Sequence, residues 1–142
     1  RYFLWLPVYL YDHSGLTIAT HKFSCPWDSC RLGYIYVSKK SAMANWKKKS
    51  LTAKTGWKAE DGTDQTVEAA ALRILQSEVD EYDSYISGEV YMYETQTPAG
   101  ETIDSCCGFT GSDTLNDDGD LITQAKDSID SYLAKQTELQ PA

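Results

Sequence analysis

LWLPVYLYDHSGLTIAT, residues 4–20, is the stretch that decides the fold class. Leu4, Leu6, Val8 and Leu10 alternate with Trp5, Tyr9 and Tyr11. In a strand, that period of two puts aliphatic side chains on one face and aromatic ones on the other. Pro7 has no amide donor, which predicts an edge position or a bulge. Asp12-His13-Ser14-Gly15 reads as a turn with Gly15 free to take positive φ, and residues 16–20 read as the return strand of a hairpin.

The same two-faced pattern recurs outward from this hairpin. GYIYV (33–37) sets Ile35 and Val37 against Tyr34 and Tyr36, and EVYMYET (89–95) sets Val90 and Met92 against Tyr91 and Tyr93. Residues 101–109 return as a fifth strand after the Thr97-Pro98-Ala99-Gly100 turn. Ser41 is the expected cap of a short helix reaching about Lys49, and residues 56–62 read as loop. A long helix is expected over residues 66–87, capped by Asp64 or Thr66. Ala71, Leu75, Val79, Tyr82 and Ile86 recur on it at spacings of three and four, and Gly88 ends it. Residues 113–120 form an acidic loop, and residues 121–136 a last helix with Ile122, Ala125, Ile129 and Leu133 on one face. These elements predict a single α+β domain over residues 1–142: an antiparallel sheet of about five strands with helices packed on one face.

A chain of 142 residues that is 42% hydrophobic and 24% charged can bury a core and is not of a disordered class. No apolar run approaches the roughly 20 residues of a membrane helix, and Pro7 interrupts the one apolar stretch near the start, so neither a membrane span nor a secretory signal is expected. Charge is unevenly placed. Residues 1–67 carry ten Lys/Arg and five Asp/Glu, whereas residues 68–142 carry three and sixteen, within a net charge of −8.

Four blocks then stand out: DHSG (12–15), FSCPWDS (23–29) followed by GYIYVSK (33–39), EVDEYDSYISGEVY (78–91) and DSCCGFTGSD (104–113). In these the chain resembles an uncharacterised family of small bacteriophage and mobile-element proteins with DHSG, FSCPWDS and DSC-x-GF-x-G motifs. The resemblance covers about half the chain, in order. It implies a phage or mobile-element origin and a place in the cytoplasm of the host cell, and it transfers no catalytic residue. Cys30 stands where the family pattern has glycine and Cys107 where it has an aromatic residue, so the second cysteine of each pair is particular to this chain.

Candidate sites follow from residue chemistry. Cys25, Cys30, Cys106 and Cys107 with His13 and His21 are zinc-ligand types, but C-x4-C and adjacent C-C are not paired C-x2-C knuckles. No metal or other cofactor is expected, and the thiols read as free. Asp12, His13, Ser14 and Cys25 include nucleophile and base types, yet the chain has no G-x-S-x-G, P-loop, H-E-x-x-H or G-x-G-x-x-G motif, and no catalytic residue is assigned. Trp5, Tyr9, Tyr11, Tyr34, Tyr36, Tyr91 and Tyr93 are expected to share a sheet face, and the favoured reading makes that face a second small core under the loop of residues 23–32. Within that loop Trp27 is expected to anchor in a core, and Asp28 or Ser29 to cap backbone donors. The lysines between residues 39 and 58 accompany Trp46 and Trp57, as in some nucleic-acid surfaces, but the acidic remainder opposes a polyanion, so direct nucleic-acid binding is not expected.

The favoured function is a non-enzymatic phage or mobile-element accessory protein. It binds a host protein, one of defence or nucleic-acid handling, through an acidic surface. Glu78, Asp80, Glu81, Asp83, Trp27 and Asp28 are the partner-binding candidates. The alternative is a small-ligand binder (nucleotide or metal) or an enzyme, using the aromatic sheet face and the region of His13, Cys25, Tyr34, Tyr36 and Cys106.

Overall fold

The computed structural model describes residues 2–138. The elements run β1 (Phe3–Asp12), β2 (Leu16–Ala19), β3 (Ser29–Ser38), α1 (Lys39–Asn45), β4 (Lys54–Lys58), β5 (Asp64–Thr66), α2 (Val67–Ser87), β6 (Val90–Gln96), β7 (Thr102–Thr110), a 3-10 turn (Ser112–Leu115) and α3 (Asp120–Glu138). The fold is α+β, as expected. The single five-stranded sheet is not observed: the strands form three antiparallel sheets, β2-β1-β3, β4-β5 and β6-β7. Packing divides the chain into two compact units, Arg1–Ser87 and Gly88–Ala142, at the glycine that ends α2.

In the first unit, β1 lies between β2 and β3. Leu4 pairs with Val37, Trp5 with Tyr36 and Pro7 with Tyr34. β2 reaches β1 only at residues 9–12. At Pro7, β1 therefore has a neighbour on one side alone, which is how a proline fits the middle strand of the sheet. The hairpin turn takes its left-handed residue at Ser14 (φ 62°) and not at Gly15. In β3 the register shifts so that Val8 faces Gly33 and Tyr9 faces Arg31, leaving Leu32 as the extra residue of a bulge.

The aliphatic face of β1 turns inward. Leu4 packs with Ala42, Val67 and Ala71, and Val8 packs with Ile18 and Val79. On α2 the expected stripe is buried at Ala71, Leu75 and Val79 and half-buried at Ile86, which packs against Val8, Ile18 and Val79, whereas Tyr82 is 56% exposed. Thr66 Oγ1 accepts from the Ala69 amide (3.2 Å) and starts α2. α1 begins three residues before expectation, because Ser38 and not Ser41 is the cap: Ser38 Oγ accepts the Ser41 amide at 3.0 Å. The β4-β5 hairpin falls where loop was expected. It is tied by Lys58 Nζ on Asp64 Oδ1 (2.7 Å), and that bond holds the Asp64 carboxyl below its ordinary value.

In the second unit, Val90 pairs with Thr110 and Tyr93 with Cys106 across β6-β7. Thr95 is buried and shares its hydroxyl with Ser128 of α3 (3.0 Å). Thr114, also buried, accepts the Leu121 amide and fixes the start of α3. The predicted α3 stripe is half-buried at Ile122 and Ala125 and then fades, with Ile129 and Leu133 exposed.

Candidate functional site

The open end of the aromatic face is the most distinctive surface of the first unit. Strand parity places Phe3 and Trp5 of β1 beside Tyr36 and Tyr34 of β3. The rings meet edge to face: Phe3 with Tyr36 at 5.3 Å and 83°, Trp5 with Tyr34 at 4.9 Å and 89°. The Arg31 guanidinium lies 5.2 Å from the Tyr34 centroid. The four rings line a shallow cleft of about 430 Å³, and they are 42% to 64% exposed. This corrects the expectation of a covered second core. The loop reaches only the far end, where Phe23 and His13 each stack on Tyr11 at 5.3 and 5.9 Å. Tyr91 and Tyr93 are not part of this surface, since they stand on β6 in a separate sheet. Phe3, outside the expected set, lies one alternation step back from Trp5. Arg31 is hidden from the alternation because the bulge at Leu32 breaks the strand's sequence period.

The FSCPWDS loop gathers its polar residues on one carboxylate. Asp28 Oδ2 lies 3.2 Å from His13 Nδ1 and accepts from Cys25 Sγ at 3.3 Å. The Asp28 carbonyl also accepts the Asp12 amide at 2.8 Å. His13, Cys25 and Asp28 are therefore brought together, as the alternative site requires in part. The thiol and the imidazole both address Asp28, however, and not each other; a base-activated nucleophile needs that direct contact. Among the described residues, no group of three or more His, Cys, Asp or Glu side chains is arranged to share a metal ion. All four cysteines are free, with Cys25 half-buried and Cys30, Cys106 and Cys107 exposed. Cys106 stands on β7, in the second unit.

Trp27 is 92% exposed, against its expected role as a core anchor. The loop holds its shape without it, through Asp28 and through Ser29 Oγ donating to the Cys25 carbonyl. Trp27→Ala is accordingly expected to leave stability within about 0.5 kcal/mol. A loss above 2 kcal/mol in denaturant unfolding would restore the anchoring role.

The α2 carboxylates do not act alike. Asp83 Oδ1 accepts the backbone amide of Ile18 at 2.7 Å, a bond from helix to strand, so this candidate is a structural group. Asp80 accepts from Gln76 at 2.7 Å, one turn away on the same helix. Glu78 lines a cavity of about 500 Å³ with Val8, Ile18, Ile35 and Tyr82, and Glu81 is exposed. The stronger charge asymmetry lies between the units: residues 88–142 carry eleven Asp/Glu and two Lys/Arg.

In the second unit, the Tyr93 hydroxyl donates to Asp104 Oδ2 at 2.8 Å. That bond, with desolvation and the carboxylate's charge behind it, pushes the phenol up to about 12. The raised value favours the neutral phenol, so the linked stability is complete below the ordinary tyrosine range near 10 and is lost as pH rises through 12. In an ultraviolet titration one tyrosine should ionise last, and Asp104→Asn should bring it back among the others; an unchanged titration would break the assignment.

Compared with protein-family models, with curated proteins and with solved structures, the chain matches none. Among the described residues, no helix is long and apolar enough to cross a membrane.

Proposed function

We propose that this chain is a non-enzymatic accessory protein of a phage or mobile element that binds a host protein in the host cytoplasm, with the open aromatic face of β1 and β3 as the recognition surface. The observation that carries the reading is the exposed cluster of Trp5, Tyr34 and Tyr36 beside Arg31. Tryptophan, tyrosine and arginine are the side chains that dominate protein interfaces, because each offers a large rigid area with a polar tip. A surface of this kind left in water calls for a partner. The acidic excess of the chain, net −8, supports a basic partner, steers it towards contact and disfavours direct nucleic-acid binding. Glu78 and Glu81 remain as partner-facing carboxylates, and Trp27 as a second exposed anchor.

The test is capture from bacterial lysate on the immobilised chain. Tyr36→Ser should leave the melting temperature unchanged and reduce retention of the partner at least about tenfold, the loss expected for one interface hot spot. Changing Glu78, Asp80 and Glu81 together to Gln, Asn and Gln should reduce retention a few-fold and flatten its salt dependence. Undiminished capture by Tyr36→Ser would remove the aromatic face from the interface.

A second reading has its own observation. A 430 Å³ cleft between perpendicular rings also suits a planar ligand such as a nucleotide base. Saturable quenching of tryptophan fluorescence by a nucleotide, abolished by Trp5→Ala, would favour it.

A further inference from the structure

The β2-β1-β3 sheet leaves three stretches of strand edge without a neighbouring strand, and two of them are guarded. On the outer edge of the four-residue β2, the Ile18 amide is taken by the Asp83 carboxylate. On the side of β1 left bare beyond β2, Pro7 offers no amide. Such devices keep strands from pairing with other chains. The outer edge of β3 has neither. It is ten residues long, and among the described residues none of the backbone groups of residues 30–37 bonds outside its own ladder with β1. From Gly33 to Val37 it carries no charge and no proline. Apolar cavities lie along both faces of this strand: one lined by Tyr34 and Tyr36, the other by Leu32, Gly33 and Ile35.

We propose that the free edge of β3 pairs antiparallel with β3 of a second copy of this chain, forming a continuous six-stranded sheet across a two-fold axis at Ile35. The sequence of the edge is complementary to itself in that register. Ile35 faces Ile35 of the other copy, Tyr34 faces Tyr36, and Gly33 faces Val37, so the aromatic faces of both copies stay on one side and the aliphatic faces on the other. Any register of opposite parity would place tyrosines against isoleucine and valine. Gly33 leaves room for the opposing valine, since nothing lies within 4 Å of the position a Cβ would take there. The bulge at Leu32 bends the strand away and ends the pairing before Arg31. Charge does not oppose the contact locally, because residues 1–87 carry eleven Lys/Arg and ten Asp/Glu. The paired sheet would align the two aromatic clefts side by side, while leaving both faces open to a different partner.

Sedimentation equilibrium of the full chain tests this without reference to any other partner. The native chain should approach twice the monomer mass as concentration rises. Tyr34→Lys with Tyr36→Lys places like charges opposite each other across the axis and should raise the dissociation constant at least about tenfold. Tyr34→Lys with Tyr36→Glu places opposite charges at the same two cross-strand positions and should restore dimerisation. Circular dichroism melting shows that each variant is folded. In the native chain, amide exchange of Tyr34 and Tyr36, whose amides alternate away from β1, should slow with increasing concentration, a readout that needs no variant. A native chain that stays monomeric, a dimer indifferent to the paired lysines, or one not restored by the lysine–glutamate pair would each overturn the proposal.

Discussion

Asp83→Ala is expected to destabilise the Arg1–Ser87 unit by about 2 kcal/mol, the range for losing a hydrogen bond to a charged group. Ile18 is 7% exposed and its amide reaches the Asp83 carboxylate at 2.7 Å, so truncation leaves a donor in a nearly closed setting. Thermal unfolding should shift down by roughly 10 °C for a unit of this size. Asp83→Asn keeps an acceptor at the same place and should cost about half as much. The substitution also uncovers the outer edge of β2, so a second expected consequence is aggregation on heating. An unchanged melting temperature would return Asp83 to the set of partner-facing carboxylates.

Gly119→Ala should destabilise the second unit by about 3 kcal/mol, at the upper end for forcing an extra methyl into packed surroundings. A Cβ at Gly119 would lie 2.5 Å from the carbonyl oxygens of both Asp113 and Thr114. Those are backbone atoms of the 3-10 turn, so no side chain can swing aside. Gly119 also donates to the Asn116 carbonyl (2.8 Å) and accepts the Thr123 amide (2.9 Å), which places it at the junction that starts α3. Relief of the clash must move the turn or the helix. Amide exchange along residues 120–128 should accelerate with the loss of stability; native protection throughout α3 would show that the turn absorbs the methyl freely.

Neither of these two contacts is legible as a sequence pattern. Period-two alternation identifies β1, β3 and β6, because alternation is local. The aliphatic face turns inward on β1 and β3, whereas on β6 Val90 and Met92 are exposed and Tyr91, Tyr93 and Thr95 form the more buried face. Alternation carries no information about which strands pair, so the expected face joins Tyr91 and Tyr93 to Tyr34 and Tyr36, with which they share no sheet. The β4-β5 hairpin was hidden because Lys54–Lys58 and Asp64–Thr66 are short, polar and punctuated by glycine. On α2 the spacing places Ala71, Leu75, Val79 and Ile86 against the core but also takes in Tyr82, which stands 56% exposed. Hydrophobicity alone does not place Trp27: it follows a proline in a loop fixed by Asp28 and Ser29, so no packing requires it to turn inward. Within the site, the approach of His13 and Cys25 to Asp28 is a contact over three to fifteen residues that spacing alone does not determine. Likewise, Asp83 looked like surface charge because its partner is a strand 65 residues earlier.

Hydroxyl-radical footprinting of the chain, free and while holding a captured host protein, tests the aromatic-face account most directly. Phe3, Trp5, Tyr34 and Tyr36 stand open in the free chain and should lose reactivity together in the complex. Tyr85, 65% exposed on α2, provides the internal reference and should keep its reactivity. Full reactivity of the four rings in the complex, with protection appearing instead at Tyr82 and Tyr85, would contradict the account and put the interface on the helix.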